Sequence, residues 1–315
     1  MTDVLGIHHV TAIAGDPQAN YEFYVRVLGM RLVKRSVNQD DPSTYHLFYA
    51  DGEGHPGSDL TFFPWRHLPP GRPGTGQITQ TLLSVPAGTF DYWEPRLAEA
   101  GVTARREPRF GEPMLVFNDP HGLGVALVET RDARSFTPWA DGPVPADRQI
   151  TGIHAVCIPV RSPAPTSDVL DSVLGFERLA TEGGWHRYGP PGGGSGTYVD
   201  LREAPDDPPG RQGAGSVHHV AFRVADDRTE AVVRARAQAA GLRPTPVIDR
   251  FWFKSVYFLE PGGVLFELAT DGPGFAVDED ADRLGETLVL PPWLEPHRTE
   301  IESALPPLQV PASER

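Results

Sequence analysis

The sequence contains four copies of one unit, a strand and a helix followed by three more strands, and this repeat constrains the fold most. In the first copy, residues 6–13 alternate like a strand, and a helix with one apolar face begins at Pro17 and ends at Gly29. Three strand-like runs follow, at residues 31–37, 45–50 and 59–63. The other copies cover residues 77–130, a stretch that starts at Gly152, and residues 217–269.

One such unit is too small to close a hydrophobic core, so the copies must pair. Each holds roughly 50–60 residues, and only paired units bury a continuous core. We therefore expect an α+β fold in which four βαβββ modules pair into two curved half-barrel domains. Two modules fall in residues 1–135 and two in residues 151–270, with a Pro-rich linker at 136–150. Residues 271–315 are expected to form a Pro-rich extended arm over a domain or over a neighbouring subunit.

Charge and composition exclude several classes of function. A formal net charge of −14 argues against nucleic acid as a partner, because phosphate binding needs a basic surface. No apolar run approaches the ~18 residues that a membrane helix needs, and the N-terminus lacks the features of a signal peptide. We therefore expect a cytoplasmic protein with no membrane partner. The single cysteine, Cys157, excludes a thiolate metal cluster and is expected in the core.

Two His-His pairs and one carboxylate interrupt strands that are otherwise apolar. His8-His9 lies in the first strand of copy one, and His218-His219 lies in the first strand of copy four. Glu267 lies within an apolar run, where an unpaired ionised carboxylate would cost several kcal/mol. If these strands meet, two imidazoles and one carboxylate can share one metal ion.

Alignment of the four copies selects among the histidines. Adjacent strand residues point to opposite faces, so only one column of the aligned first strands can line a cavity at a given depth. His9 and His219 share the column in which copy two has Gln80 and copy three has Ala155. We therefore predict that copies one and four meet and place His9, His219 and Glu267 on one ion. A lone strand histidine is more often a hydrogen-bonded polar residue than a metal ligand. Two His-His pairs and one buried glutamate on equivalent strands together favour a metal site.

Six segments together are more specific than either His-His pair. They are residues 7–11, 33–35, 45–47, 217–222, 249–258 and 260–267. Through these segments, the chain resembles the vicinal oxygen chelate superfamily and, within it, the ring-cleaving dioxygenases of the hydroquinone 1,2-dioxygenase type. Common extradiol enzymes of the superfamily take their first histidine from the third unit, where this chain has Ala155.

The resemblance implies site residues, a cofactor and a reaction. The family's metal ligands match His9, His219 and Glu267. Its groups around the ligands and the substrate match four further residues, His8, Thr11, Arg250 and Tyr257. The implied cofactor is Fe(II), with Mn(II) as an alternative and with Zn or Ni able to replace it in purified protein. The implied reaction is an extradiol-type ring cleavage that inserts O2 into an aromatic diol, with a hydroquinone cut at the 1,2 position as the preferred substrate.

Two other classes of function remain open. A glyoxalase-like metal-dependent isomerase or lyase would use the same scaffold, but it usually has four protein ligands, including two carboxylates. A non-catalytic resistance protein that binds a small molecule could share the fold without a metal. For the dioxygenase, the expected partners are a small aromatic substrate, O2 and further copies of the chain in a homo-oligomer.

Overall fold

The computed structural model, which describes residues 3–132 and 134–310, is a mixed α+β fold with many short strands and few helices. The strands are β1 (Val4–Ala14), β2 (Arg31–Asn38), β3 (Asp41–Ala50), β4 (Asp59–Pro64), β5 (Gln80–Pro86), β6 (Arg105–Arg106), β7 (Met114–Asn118), β8 (Gly124–Thr130), β9 (Gly152–Val160), β10 (Glu177–Glu182), β11 (Trp185–Gly189), β12 (Tyr198–Glu203), β13 (Ser216–Val224), β14 (Ile248–Asp249), β15 (Lys254–Leu259) and β16 (Leu265–Thr270). The α-helices are α1 (Pro17–Tyr21), α2 (Phe90–Glu99), α3 (Pro163–Ser172), α4 (Asp227–Ala239) and α5 (Arg298–Ala304). A π-helix over Glu22–Val27 continues α1, and short 3-10 helices cover Phe275–Val277, Ala281–Arg283 and Glu295–His297.

The strands form two curved eight-stranded sheets, each built from two βαβββ modules. The first sheet has the order β14-β15-β16-β13-β1-β4-β3-β2, and the second has the order β10-β11-β12-β9-β5-β8-β7-β6. At the centre of each sheet, the first strands of two modules pair antiparallel, β1 with β13 and β5 with β9. The first and fourth modules therefore share one sheet, and the second and third share the other. Each sheet combines one module from residues 1–135 with one from residues 151–270, and the division of the chain at residues 136–150 stays a prediction.

Local signals explain where the module helices begin. Asp16 precedes α1, and its side chain accepts a hydrogen bond of 2.9 Å from the backbone N–H of Ala19, while Pro17 takes the first helical turn. Asp226 caps α4 in the same way, through the N–H of Thr229 at 2.8 Å. The helix of the third module begins at Pro163, because proline suits a first turn.

Irregularities in strand pairing recur at the same place in three modules. Along β1, the partner changes from Phe222 at Ile7 to Ala221 at His9, so that His8 is an extra residue on this strand. Along β13, the partners of Thr11 and Ala12 are His219 and Val217, which leaves His218 as the extra residue. His154 is the corresponding extra residue of β9. A bulge of this kind interrupts the strict alternation of side chains and re-aims them locally.

The C-terminal arm lies over the first module of its own chain, which was one of the two positions that the sequence left open. The N–H of Val289 donates to the carbonyl of Arg35 at 2.9 Å, and the Tyr45 hydroxyl donates to the carbonyl of Pro306 at 3.1 Å. Phe275 and Leu284 of the arm pack in one apolar cluster with residues of the first sheet and of the loop between β14 and β15: Val33, Phe48, Ala50, Ala221, Trp252, Phe253 and Ala269. The arm therefore closes part of this half-barrel.

Over residues 3–132 and 134–310, every helix is too short or too polar to cross a membrane.

Candidate metal centre

The first half-barrel brings the three predicted ligands together. His9 lies on β1, His219 lies on the neighbouring β13, and Glu267 lies on β16 beside it. The Nε2 atoms of His9 and His219 are 3.3 Å apart, and the Glu267 Oε2 is 3.3 Å from the first and 2.8 Å from the second. All three side chains are buried. They form the cluster of potential metal-binding residues found in the described part of the chain.

The spacing of these atoms fits three ligands of one metal ion. Metal–nitrogen bonds of about 2.1 Å at right angles place neighbouring ligand atoms about 3.0 Å apart, close to the 2.8–3.3 Å of this triangle. The buried Glu267 Oε2 has no donor in hydrogen-bonding geometry. An orphaned carboxylate oxygen beside two imidazole nitrogens is costly unless a cation occupies the space between them.

The neighbouring histidines hold the ligand rings in the tautomer that a metal needs. His8 and His9 approach each other at 2.9 Å through their Nδ1 atoms, and His218 and His219 do the same at 2.8 Å. Burial lowers the pKa of His8 and of His218 to about 3, so both rings are neutral. We assign the shared protons to the Nδ1 atoms of His9 and His219, which leaves their Nε2 lone pairs free for a metal.

Both His-His contacts depend on the bulges. In a regular strand, His8 and His218 would point away from the ligand that follows them. Each is the extra residue of its strand, so its ring can turn toward the ligand ring.

The carboxylate of Glu267 is ionised and fixed in place. Burial alone would raise the pKa of Glu267, but positive charge on His9 and His219 would outweigh burial and hold this pKa well below its ordinary value. A cation held between the three residues would act in the same direction. The Ser255 hydroxyl donates to Glu267 Oε1 at 2.6 Å. Oε1 is therefore occupied by a hydrogen bond and Oε2 faces the two histidines, which is the division of roles expected of a carboxylate that binds a metal through one oxygen.

A small cavity with aromatic walls opens beside His9 and His219. Its apolar walls are the side chains of Phe48, Phe63, Trp252 and Phe253. Its polar lining comprises Asn38, Gln39, Asp40, His46, Arg250 and Tyr257. The metal cluster, the aromatic walls and the polar groups thus converge on one space in the first half-barrel, a combination typical of a binding site for a small planar ligand.

Arg250 and Tyr257, two of the residues that the resemblance singled out, lie together in this cavity. The Arg250 guanidinium is 5.5 Å from the centre of the Tyr257 ring and pairs with Asp40 at 2.9 Å. The Tyr257 ring lies 5.7 Å from the ring of His219. Burial and the charge of Glu267 raise the pKa of Tyr257, so its hydroxyl stays protonated and can donate a hydrogen bond.

Thr11 is buried behind the cavity instead of lining it. Its hydroxyl pairs with the Thr61 hydroxyl at 2.8 Å, and Thr61 pairs with His46 Nε2 at 2.9 Å. His46 lines the cavity, although no sequence pattern separates it from the other single histidines. Its alternation with Phe48 on β3 is the signal that could have placed it on the concave face. His186 lies on β11 of the second sheet, beside Thr181.

Comparison with known proteins identifies the class to which this fold and site belong. The chain is a member of the Glyoxalase/Bleomycin resistance protein/Dioxygenase superfamily, whose family model matches residues 6–127 and 152–268. The two matched segments correspond to the two pairs of consecutive modules.

Individual relatives resemble the chain over nearly its whole length. It is 44% identical to the Bacillus subtilis protein named "Putative ring-cleaving dioxygenase MhqO", with 97% of each chain covered. It is 32% identical to a Sphingobium indicum protein named "Chlorohydroquinone/hydroquinone 1,2-dioxygenase", with 95% of each chain covered. A crystal structure of a Bacillus subtilis protein described as a "putative dioxygenase" has 43% identity and a TM-score of 0.94, and the match covers 99% of each chain.

Proposed function

We propose that this chain is a ring-cleaving dioxygenase that uses Fe(II) and O2 and whose substrate is a hydroquinone. The observation that carries the proposal is the convergence of His9, His219 and Glu267 at the edge of an aromatic-walled cavity. Two imidazoles and one carboxylate are the ligand set of non-haem ferrous oxygenases, which leaves open positions on the metal. The names of the relatives at 44% and 32% identity support the same class of reaction.

Ferrous iron held by these three residues would provide adjacent positions for a phenolic oxygen and for O2, and would pass electrons from the ring to oxygen. The protein contributes positioning and charge. Phe48, Phe63 and Trp252 bound a space for a flat ring. Arg250 carries a fixed positive charge that would stabilise negative charge developing on the substrate.

Proton movement is assigned to Tyr257 or His8. The Tyr257 hydroxyl is protonated and lines the cavity, so it can donate to a substrate oxygen. His8 touches the ligand His9 and does not line the cavity, so its route to the substrate runs through that ring. The hydroxyls of a hydroquinone are not adjacent, so the ring would be cut beside one of them at the 1,2 position, and the extradiol-type class is part of the proposal.

The competing isomerase or lyase meets an obstacle in the first sheet. Glu267 pairs in register with Ala221, two residues after the ligand His219. The equivalent position beside His9 is Thr61, which pairs with Thr11. A fourth ligand supplied by symmetry would therefore be a threonine whose hydroxyl already bonds Thr11 and His46. This arrangement favours three protein ligands over the four, including two carboxylates, expected of a glyoxalase-like enzyme.

The test is oxygen consumption by anaerobically purified, Fe(II)-loaded protein with a panel of substituted hydroquinones and catechols. We expect uptake of one O2 per ring cleaved, fastest with a hydroquinone, and no uptake by Glu267→Gln under the same loading. Mn(II) loading tests the alternative metal, whereas zinc or nickel in purified material reflects displacement along the affinity order. No uptake with any diol at full iron occupancy would refute the dioxygenase. The non-catalytic protein that binds a small molecule would then be the favoured alternative. A homo-oligomeric state and a cytoplasmic location stay predictions.

A further inference from the structure

His46 lines the cavity of the metal ligands from β3, a strand that is adjacent to none of the three ligand strands. β3 is two strands away from β1 in the first sheet, and at a strand spacing of about 4.8 Å this places the two strands about 9.6 Å apart. His46 lines the same cavity as His9 and His219. A single ring bound by one oxygen at the ligands would therefore share this cavity with His46.

The imidazole of His46 is held firmly on two sides. Its ring centre lies 3.8 Å from that of Phe48 and 4.4 Å from that of Phe63. Its Nε2 is 2.9 Å from the Thr61 hydroxyl, which in turn pairs with the Thr11 hydroxyl at 2.8 Å. Both threonines are fully buried, so water does not compete for these bonds.

The second nitrogen of His46 has no such partner. Among residues 3–132 and 134–310, the Thr61 contact is the one hydrogen bond of this side chain, and it uses Nε2. Nδ1 is thus available to a molecule in the cavity. Because the hydroxyls of Thr61 and Thr11 can each rotate to donate or accept, Nδ1 can present either a proton or a lone pair.

We propose that His46 binds the second oxygen of the substrate, the one that points away from the metal ligands, and so selects a ring with two oxygens in para positions. This inference rests on the proposed dioxygenase function and adds a determinant of specificity to it. In a catechol the second oxygen is adjacent to the first and remains near the ligands, out of reach of His46. Thr61 and Thr11 are positioning residues, which orient the imidazole without touching the substrate.

The experiment compares ligands with and without the second oxygen, under anaerobic conditions so that no turnover occurs. Binding of hydroquinone, 4-methylphenol and catechol to metal-loaded wild type and His46→Phe is measured by calorimetry. Phenylalanine keeps a ring between Phe48 and Phe63 but removes the hydrogen bond. A lost bond to a buried polar group weakens binding about 5- to 150-fold, so we expect that loss for hydroquinone and less than about threefold for the other two ligands.

Thr61→Val serves as the test of positioning, because it frees the imidazole while keeping a β-branched side chain. We expect an intermediate loss for hydroquinone and a metal content close to wild type for both variants. Thr61→Val should unfold at a lower temperature, because the buried Thr11 hydroxyl loses its partner. Equal losses for hydroquinone and 4-methylphenol, or no loss for hydroquinone, would overturn the role of His46. Failure of wild type to bind any of the three phenols at full metal occupancy would instead refute the proposed function, and the inference with it.

Discussion

The pairing of His8 with His9 makes a quantitative prediction for metal affinity. In His8→Leu, the buried Nδ1–H of His9 loses its acceptor at 2.9 Å. A buried donor without a partner costs about 1–3 kcal/mol, and each 1.4 kcal/mol is about tenfold in an equilibrium constant. The proton of His9 can also move to Nε2, where it blocks the metal. We therefore expect the metal dissociation constant to rise about 5- to 150-fold.

The measurement is competition between the protein and a coloured chelator for Mn(II), which avoids oxidation of iron during the titration. His218→Leu should give a loss of similar size, because His218 approaches His219 at 2.8 Å in the same way. His8→Gln should recover part of the affinity, because its amide oxygen can accept the same proton.

A matched control lies in the second half-barrel. His154 is the extra residue of β9, as His8 is of β1, and it bonds Glu112 at 3.1 Å, with Ala155 next in the chain. His154→Leu should therefore leave the metal dissociation constant unchanged, whatever it does to stability. Affinity within twofold of wild type in His8→Leu, with the fold intact by circular dichroism, would contradict the assigned tautomers.

Three further predictions concern other parts of the first half-barrel. Glu267→Gln should lower metal affinity by more than about 100-fold, beyond the effect of any residue behind the ligands, as metal analysis after dialysis would show. Glu230 on α4 is buried with no partner for either carboxylate oxygen, and burial, aided by Asp227 and Glu267, raises its pKa to about 7. The folded state thus binds the proton more tightly than the unfolded state. This contribution to stability is present below the unfolded value of about 4.5 and is lost as pH rises through about 7, so Glu230→Gln should add about 1–3 kcal/mol in denaturant unfolding above that pH and little below 4.5. Lys34→Met should cost about 3–5 kcal/mol and loosen the arm to proteolysis, because the buried ammonium bonds the Phe275 carbonyl at 3.0 Å and pairs with Asp278 at 2.8 Å and with Glu279.

The arrangement of the modules could be predicted from the sequence because it left a chemical trace. Histidine occupied one alignment column in copies one and four alone, and Glu267 lay in copy four, so an unpaired carboxylate required those copies to meet. The structure does pair β1 with β13. The same reasoning does not apply to the residues of the second sheet, whose polar groups are spread over several strands.

The strand irregularities were beyond prediction for a physical reason. Strict alternation implies that His8 and His9 face opposite sides, and on that basis His8 and His218 had no defined partner. A bulge adds one residue without a sequence mark of its own, since any residue can occupy it. The contacts of Thr11 were equally hidden, because they depend on register with Thr61 on β4, which lies 50 positions away in the chain.

The second half-barrel shows that the fold alone does not create the metal site. It has the same central strand pair and the same bulge, at His154. Where the first sheet has two histidines, the second has Gln80 and Ala155. In the first sheet, Glu267 pairs with Ala221, two residues after His219. In the second sheet, Ala126 pairs with Leu82, two residues after Gln80. Ala126 therefore occupies the position equivalent to Glu267. No carboxylate or imidazole is left at the three positions that would share an ion.

In place of an ion, protein cations occupy this second concave face. The buried Arg187 forms bonds of 2.8 and 3.0 Å with the Asp200 carboxylate and of 2.6 Å with Glu112. Arg109, also buried, lies 3.8 Å from the centre of the Trp185 ring. The second half-barrel therefore neutralises the buried Asp200 with a guanidinium group of the protein, and the first, we infer, neutralises Glu267 with a metal. Only a metal leaves coordination positions for a substrate, so we expect the proposed chemistry to be confined to the first half-barrel, where His9, His219 and Glu267 meet.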